Sequence, residues 1–299
     1  MKKVFLKAQD GYELELHIFE IKKPKATIQL IHGMEEHQER YEPFIIFLNK
    51  NGFNVVSSNM RGHGPNAPYL GHFQDKKGYI ELIEDQKLIT KYIEENFYNQ
   101  KKYIFAHSMG TIITRVLLKD YSNHYDKIVL SGYPNFQIAS YIGIIVSNII
   151  KLIYGPKYKS KMLTDLSIGR FNKKISNPKT NYDWICKNEN IITEYIRDPY
   201  CGIGFTCSAY NDLYHLVIKM NQTKNYKNIN KNLKLLMLRG LDDPCTGGQK
   251  GAQNSINKLK SVGFNNLKYI DYPNMRHEIL GEKDKEKVYN DILKFYLEK

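Results

Sequence analysis

Ala106-His107-Ser108-Met109-Gly110 places one hydroxyl between small residues. A β-rich run, Tyr103-Ile104-Phe105, precedes it, and a helix-forming run from Thr111 to Leu118 follows. Such a string is weak evidence on its own. Its setting reads as a strand-to-helix elbow, in which small residues at 106 and 110 permit a strained turn that lifts the Ser108 hydroxyl above a sheet. The following helix aims its amino end at the same point and so favours developing negative charge. The chemistry this implies is nucleophilic attack by the serine oxygen. The plainer alternative is an ordinary serine at a helix start.

A serine hydroxyl attacks only when a base takes its proton, so a histidine must be close. Elbows of this type supply their partners in the chain order Ser, acid, His. His124, His215 and His277 follow Ser108. His124 falls in the loop after the elbow helix and His215 inside an inserted segment. His277 ends a short loop after the last strand, Tyr272-Pro273-Asn274-Met275-Arg276, and is the expected base. The acid should follow the preceding strand, where it fixes the imidazole tautomer and stabilises the imidazolium. Asp242 and Asp243 both qualify. Asp243 is favoured because Pro244 confines it to extended backbone and so fixes its carboxylate direction. His32-Gly33-Met34 closes another strand. The backbone N–H groups of Met34 and Met109 are expected to face a substrate carbonyl oxygen as an oxyanion hole.

The elements that must position these residues read as strand, helix, strand, helix, strand. A hairpin of residues 4–8 and 12–19 comes first, turning at Asp10-Gly11. The strands expected next are 26–31, 53–57, 102–106 and 127–131, and the helices 41–51, 78–98 and 111–121. The alternation lapses from 133 to 232 and returns with strands 233–238 and 267–271 and helices 249–262 and 285–297. The fold class is α/β: a mostly parallel central sheet flanked by helices, with a core of 1–132 and 233–299. The insertion, 133–232, reads as a mainly helical cap over the carboxyl ends of the strands, where open α/β sheets bind their ligands. Residues 138–154 are rich in isoleucine but too short and too polar for a membrane span, and read as a cap helix.

Composition narrows the classes. At 299 residues, with 42% hydrophobic and 12% aromatic side chains, the chain has globular values, which exclude disorder. Its four cysteines, Cys186, Cys201, Cys207 and Cys245, form no C-x-x-C pair and read as free thiols; no metal site is expected. The amino terminus has no apolar run of signal-peptide length, so a cytoplasmic location is expected. The net charge of +13 favours acidic partners, including anionic membrane surfaces. The lysines are spread along the chain, however, and no nucleic-acid-binding pattern accompanies them, so no nucleic-acid partner is expected.

Several segments resemble a known group. His32-Gly33-Met34-Glu35-Glu36-His37, followed by Arg40-Tyr41, is similar to the opening motif of the monoacylglycerol lipase and bacterial lysophospholipase branch of the α/β-hydrolases, the serine aminopeptidase S33-like branch. Arg61-Gly62-His63-Gly64, the elbow, Gly240-Leu241-Asp242-Asp243-Pro244 and Arg276-His277-Glu278-Ile279-Leu280 resemble other motifs of the branch, as does Asp198-Pro199-Tyr200-Cys201-Gly202 in the cap. Ala106 in place of the first elbow glycine, Asn59 in place of an aspartate, and Pro65 depart from its pattern. The resemblance implies a capped α/β-hydrolase that needs no cofactor and cleaves lipid-like esters through an acyl-enzyme. It also implies Ser108 as nucleophile, Asp243 as acid, His277 as base, and Met34 and Met109 as oxyanion donors.

The function expected is hydrolysis of a small acyl ester, a monoacylglycerol or lysophospholipid, with transient contact at anionic membranes. Ile142, Ile145 and Ile149 would line an acyl channel or else pack the cap onto the core. An aminopeptidase or amidase on the same residues, and a non-catalytic ligand-binding scaffold, are the alternatives. The first lacks an evident acidic clamp for an amino terminus.

Overall fold

The computed structural model describes residues 1–298. Eight strands form one sheet: β1 (Lys2–Lys7), β2 (Glu13–Phe19), β3 (Ala26–Ile31), β4 (Phe53–Ser58), β5 (Lys101–His107), β6 (Lys127–Ser131), β7 (Lys234–Gly240) and β8 (Leu267–Tyr272). Their spatial order is β1-β2-β4-β3-β5-β6-β7-β8. The first hairpin and the β2/β4 pair are antiparallel, and every later pair is parallel. All residues of β3, β4 and β6 are buried, as strands covered on both faces must be.

Helices α1 (Glu42–Lys50), α2 (Gly78–Asn96) and α3 (Met109–Tyr121) alternate with the first strands. Successive residues of β5 serve opposite faces. Ile104 and Ala106 pack toward α2 and α3, whereas Tyr103 and Phe105 join Phe44, Ile45 and Leu48 of α1. This is the α/β-hydrolase fold expected from the sequence, with strand ends within two residues of expectation.

Between β6 and β7 lie α4 (Ala139–Tyr154), α5 (Lys161–Thr164), a π-helical turn (Asp165–Gly169), α6 (Arg170–Asn172), α7 (Glu189–Arg197) and α8 (Cys207–Asn221). Among the described residues no strand occurs here. Then come α9 (Gly248–Ser261) and α10 (Lys285–Leu297), the latter packing Val288, Ile292 and Phe295 beside α1. By packing, the inserted stretch divides in two. α8 is buried on nearly every side, held by α4 above and by α2 and α3 below. α4 and the short elements after it lie outside α8.

The contact with α8 reverses the expected orientation of α4. Ser140, Gly143 and Ser147 face inward, and a Cβ on Gly143 would lie 2.6 Å from the Tyr214 ring. Asn211 donates to Ser147 Oγ at 2.9 Å. Small residues at helical spacing allow this approach, with Ile150 completing the inward face, while Ile145, Ile149 and Ile153 point away. Ile142 borders the cavity described below. Ile145 and Ile149 neither line it nor pack onto the core; they are 60% and 53% exposed. Among the described residues no helix is long and apolar enough to cross a membrane. All four cysteines are free and buried.

Candidate active site

The parallel strands end along one edge, and the residues singled out above emerge from those ends. Ser108 leaves β5 with φ 50° and ψ −117°, a conformation that L side chains rarely adopt. Two contacts hold it: its N–H donates to Ser131 O at 2.9 Å, and Gly110 lies flat against the end of β3. A Cβ at 110 would stand 2.5 Å from Ile31 O and 2.7 Å from His32 O, so only glycine fits. Ala106 is wholly buried within β5, so its extra methyl sits in the core rather than in the turn.

His277 reaches Ser108 from the loop after β8. Its Nε2 lies 2.8 Å from Ser108 Oγ, and its Nδ1 lies 2.9 Å from Asp243 Oδ2. The other Asp243 oxygen accepts the Cys245 N–H at 2.7 Å, which fixes the carboxylate plane. Asp242, the alternative acid, instead points outward to Lys187 at 2.6 Å. His124 and His215 lie elsewhere, stacked on Tyr121 and Tyr79. Burial disfavours the imidazolium of His277, but the Asp243 charge and hydrogen bond, with Glu36 and Glu278 behind them, raise its pKa above the ordinary value. A hydrogen-bonded line from hydroxyl to imidazole to carboxylate can take the serine proton and stabilise the cation that results.

Met34 and Met109 both border the same cavity as Ser108 and His277. Met109 opens α3, where an N–H has no intrahelical acceptor. The turn carrying Met34 is braced by two neutral histidines. His32 accepts the Met60 N–H at Nε2 (2.9 Å) and donates from Nδ1 to Gly33 O (2.7 Å). His63 accepts the Glu35 N–H at 3.3 Å and donates to Arg61 O at 2.9 Å. Burial pushes them down to about 4 and about 3, so both stay uncharged at neutral pH. Asn59, a departure from the family pattern, accepts the Gln38 N–H at 2.8 Å and packs against Gly64; Pro65 is exposed.

Four further residues support the site, and reading the sequence alone gave none of them a role. Glu36 accepts from Gly33 N–H, from the Tyr41 hydroxyl (2.7 Å) and from Arg40 (2.6 Å). Arg40 also grips Glu278, the neighbour of His277, with two bonds of 2.8 and 3.0 Å. One guanidinium therefore ties the Met34 turn to the histidine loop. Burial opposes ionisation of both carboxyls. Attraction to His107 and Arg40 nonetheless holds Glu36 below the usual range, while burial outweighs Arg40 at Glu278 and raises it. Trp184 of the insertion packs its ring 5.0 Å from that of His277. The signal for Glu36, Arg40 and Glu278 was present in the motifs; Trp184 was marked only by being the single tryptophan.

The cavity in front of Ser108 measures about 270 Å³ and runs between Ile112, Leu213 and Val217 on one side and Leu166, Ile168 and Phe171 on the other. Glu35 also lines it. Burial pushes its carboxyl up to about 7 against the opposing pull of the Gly204 and Phe205 N–H groups, and its Oε1 is buried without a hydrogen-bond partner. Among the described residues two clusters have metal-ligand spacing: His37, Asp198 and Cys201, and the Asp243, Cys245 and His277 group. His37 is already engaged, its two ring nitrogens each 2.7 Å from a carboxylate, Glu39 and Asp198. Burial opposes its charge, but the two carboxylates prevail and raise its pKa. Its two carboxylate contacts join the Met34 loop to the insertion.

Known proteins match this architecture along almost its whole length. The chain is 21% identical over 272 residues to the monoacylglycerol lipase of Mycolicibacterium smegmatis, spanning 90% of this chain and 87% of that one. It is 22% identical over 273 residues to phospholipase YtpA of Bacillus subtilis, spanning 89% and 93%. A thermostable carboxyl esterase from Bacillus coagulans shares the fold with a TM-score of 0.88 at 24% identity, over 99% of this chain and 97% of that one. The model of the family described as serine aminopeptidase, S33 matches residues 22–284, a stretch that begins just before β3 and takes in every residue of the hydrogen-bonded line. The chain belongs to that family of α/β-hydrolases.

Proposed function

We propose that this protein is a serine carboxylic-ester hydrolase acting on single-chain acyl lipids, monoacylglycerols or lysophospholipids. The observation that carries the reading is the Ser108–His277–Asp243 line opening into an apolar cavity. Ser108 Oγ attacks the ester carbonyl as its proton passes to His277 Nε2, while Asp243 holds the Nδ1–H. The Met34 and Met109 N–H groups stabilise the oxyanion. His277 then protonates the departing alcohol, leaving an acyl-Ser108. Water, deprotonated by His277, releases the fatty acid and restores the serine.

The apolar walls favour an acyl chain over a peptide, and the names of the two relatives above point the same way. An aminopeptidase reading has one observation in its favour: Glu35 is a carboxyl lining the cavity, the kind of group that could hold a free amino terminus. The outward residues of α4, including Ile145, Ile149 and Leu152, and the exposed Lys157, Lys159 and Lys161 that follow α4 in the chain would suit brief contact with an anionic membrane. In this reading the protein works from the aqueous side.

A panel of monoacylglycerols, lysophospholipids, graded p-nitrophenyl esters and aminoacyl amides tests the reading. Single-chain lipid esters are expected to turn over fastest, and faster cleavage of aminoacyl amides would overturn the proposal. Ser108→Ala should lower kcat by about 10⁶-fold and abolish fluorophosphonate labelling. Undiminished labelling would remove Ser108 from its role.

A further inference from the structure

Four arginines lie deep in this protein, and three of them face carboxylates. Arg61 meets Asp85 and Asp10, Arg239 meets Asp271, and Arg40 meets Glu36 and Glu278. Arg115 is the exception. It sits on α3 with 1% of its surface exposed, and among the described residues no acid pairs with it. Its Nη1 donates to Pro134 O at 3.1 Å, and its Nε has no partner. Other buried cations lacking a close acid are at least capped by carbonyls: Lys119 by Gln222 and Lys224, Lys127 by Phe295 and Tyr296. A guanidinium with one carbonyl and no counter-charge is an expensive thing to bury.

Arg115 borders a second cavity of about 400 Å³, between α3 and α9. Asn135, Asn254, Ser255, Asn257 and Lys258 also line it, and its lining contains no acid. Ser255 Oγ is likewise buried without a partner. Two orphaned donors, one of them charged, thus meet at a polar hollow with a second cation, Lys258, beside it. Water could satisfy the hydrogen bonds but would leave the charge uncompensated.

We propose that this cavity binds a phosphate-type oxyanion, with Arg115 as its counter-charge, Ser255 and the asparagine amides as donors, and Lys258 as the second cation. Two cations and several donors lining one cavity suit a doubly charged tetrahedral group better than a carboxylate. The site is distinct from the one at Ser108. Arg115 lies seven residues further along α3, roughly 10 Å by helical rise. Asn135 stands between the two, bordering both cavities. Its N–H donates to Cys245 O, and the Cys245 N–H donates to Asp243. The inference does not depend on the reaction proposed above.

The test is calorimetric titration and thermal denaturation of the full chain with inorganic phosphate, against chloride at matched ionic strength, and in parallel with glycerol phosphate. Saturable binding and stabilisation by phosphate, absent with chloride, are expected. Tighter binding of glycerol phosphate would identify an organic phosphate as the ligand, and equal binding the free ion; both support the site. Arg115→Met should abolish the phosphate response while melting, in phosphate-free buffer, no lower than wild type, because the uncompensated charge is gone. Lys258→Gln, a change at a partly exposed position, should weaken binding about tenfold without altering the fold. Should Arg115→Met fail to fold, Lys258→Gln and Ser255→Ala decide the matter. A response shared with chloride, or one unchanged in these variants, would overturn the proposal.

Discussion

The loops that hold Ser108 and the helix that roofs them are built on opposite rules. Around the serine, a set of charged and polar side chains is matched inside the protein: His32, His63, Glu36, Arg40 and Glu278 all have partners there. Along α4 the small residues Ser140, Gly143 and Ser147 are inside with Ile150, while Ile145, Ile149 and Ile153 are outside. A buried polar network fixes positions, since every displaced donor or acceptor would go unpaired. An apolar face left in water fixes nothing within the chain and suits a partner outside it. Under the proposed function, reaction geometry would rest mainly on the core loops and the encounter with substrate on the roof.

Mutations can press on that division from both sides. The largest effect is expected at the core: Asp243→Asn should lower kcat by about 10⁴-fold. Its pH profile should also move. Asp243 holds the His277 pKa above its ordinary value, and the unprotonated base is lost as pH falls through that pKa. Removing the carboxylate leaves burial to lower the pKa, so the acid limb of kcat/KM should shift to lower pH; an unmoved limb would exclude Asp243 as the partner. Arg40→Met comes next, leaving Glu36 and Glu278 without their shared counter-charge. Urea unfolding at neutral pH should show a loss of about 3–5 kcal/mol. The deficit should narrow in acid, because Glu278, already raised, takes up a proton first. A wild-type urea midpoint would mean that the bridge between the loops does not hold them. The smallest effect lies at the roof. The pair Ile145→Ser and Ile149→Ser should weaken binding to anionic vesicles about tenfold while soluble esters turn over within about twofold of wild type. Equal losses in both assays would show that α4 shapes the cavity rather than the encounter.

Much of the core was legible because it is written locally. Runs such as Ala26–Ile31 and Lys127–Ser131 are short and mostly apolar, and the elbow has its strand and helix on either side. Asp243 could be told from Asp242 by the proline after it, and the structure turns the two apart accordingly. The Arg40 bridge was not readable, since it joins positions 238 residues apart and depends on how two loops approach. The orientation of α4 was misread for a similar reason. Hydrophobic periodicity says which face of a helix is apolar but not which face meets a neighbour, and here close approach to Tyr214 selected the small one.

The burial of α8 bears on how such proteins can be recombined. Thr206 caps this helix, its backbone N–H bonds to Gly71 O, and its hydroxyl lies 3.0 Å from a His72 nitrogen, so the helix start is stitched to a core loop. A graft that exchanged everything from 133 to 232 would strip the packing from α2 and α3 along with the roof. The packing seam lies before Thr206: a foreign lid spliced upstream of it keeps α8 as the host's own floor, but must replace the Trp184 ring against His277 and the Asp198 carboxylate on His37.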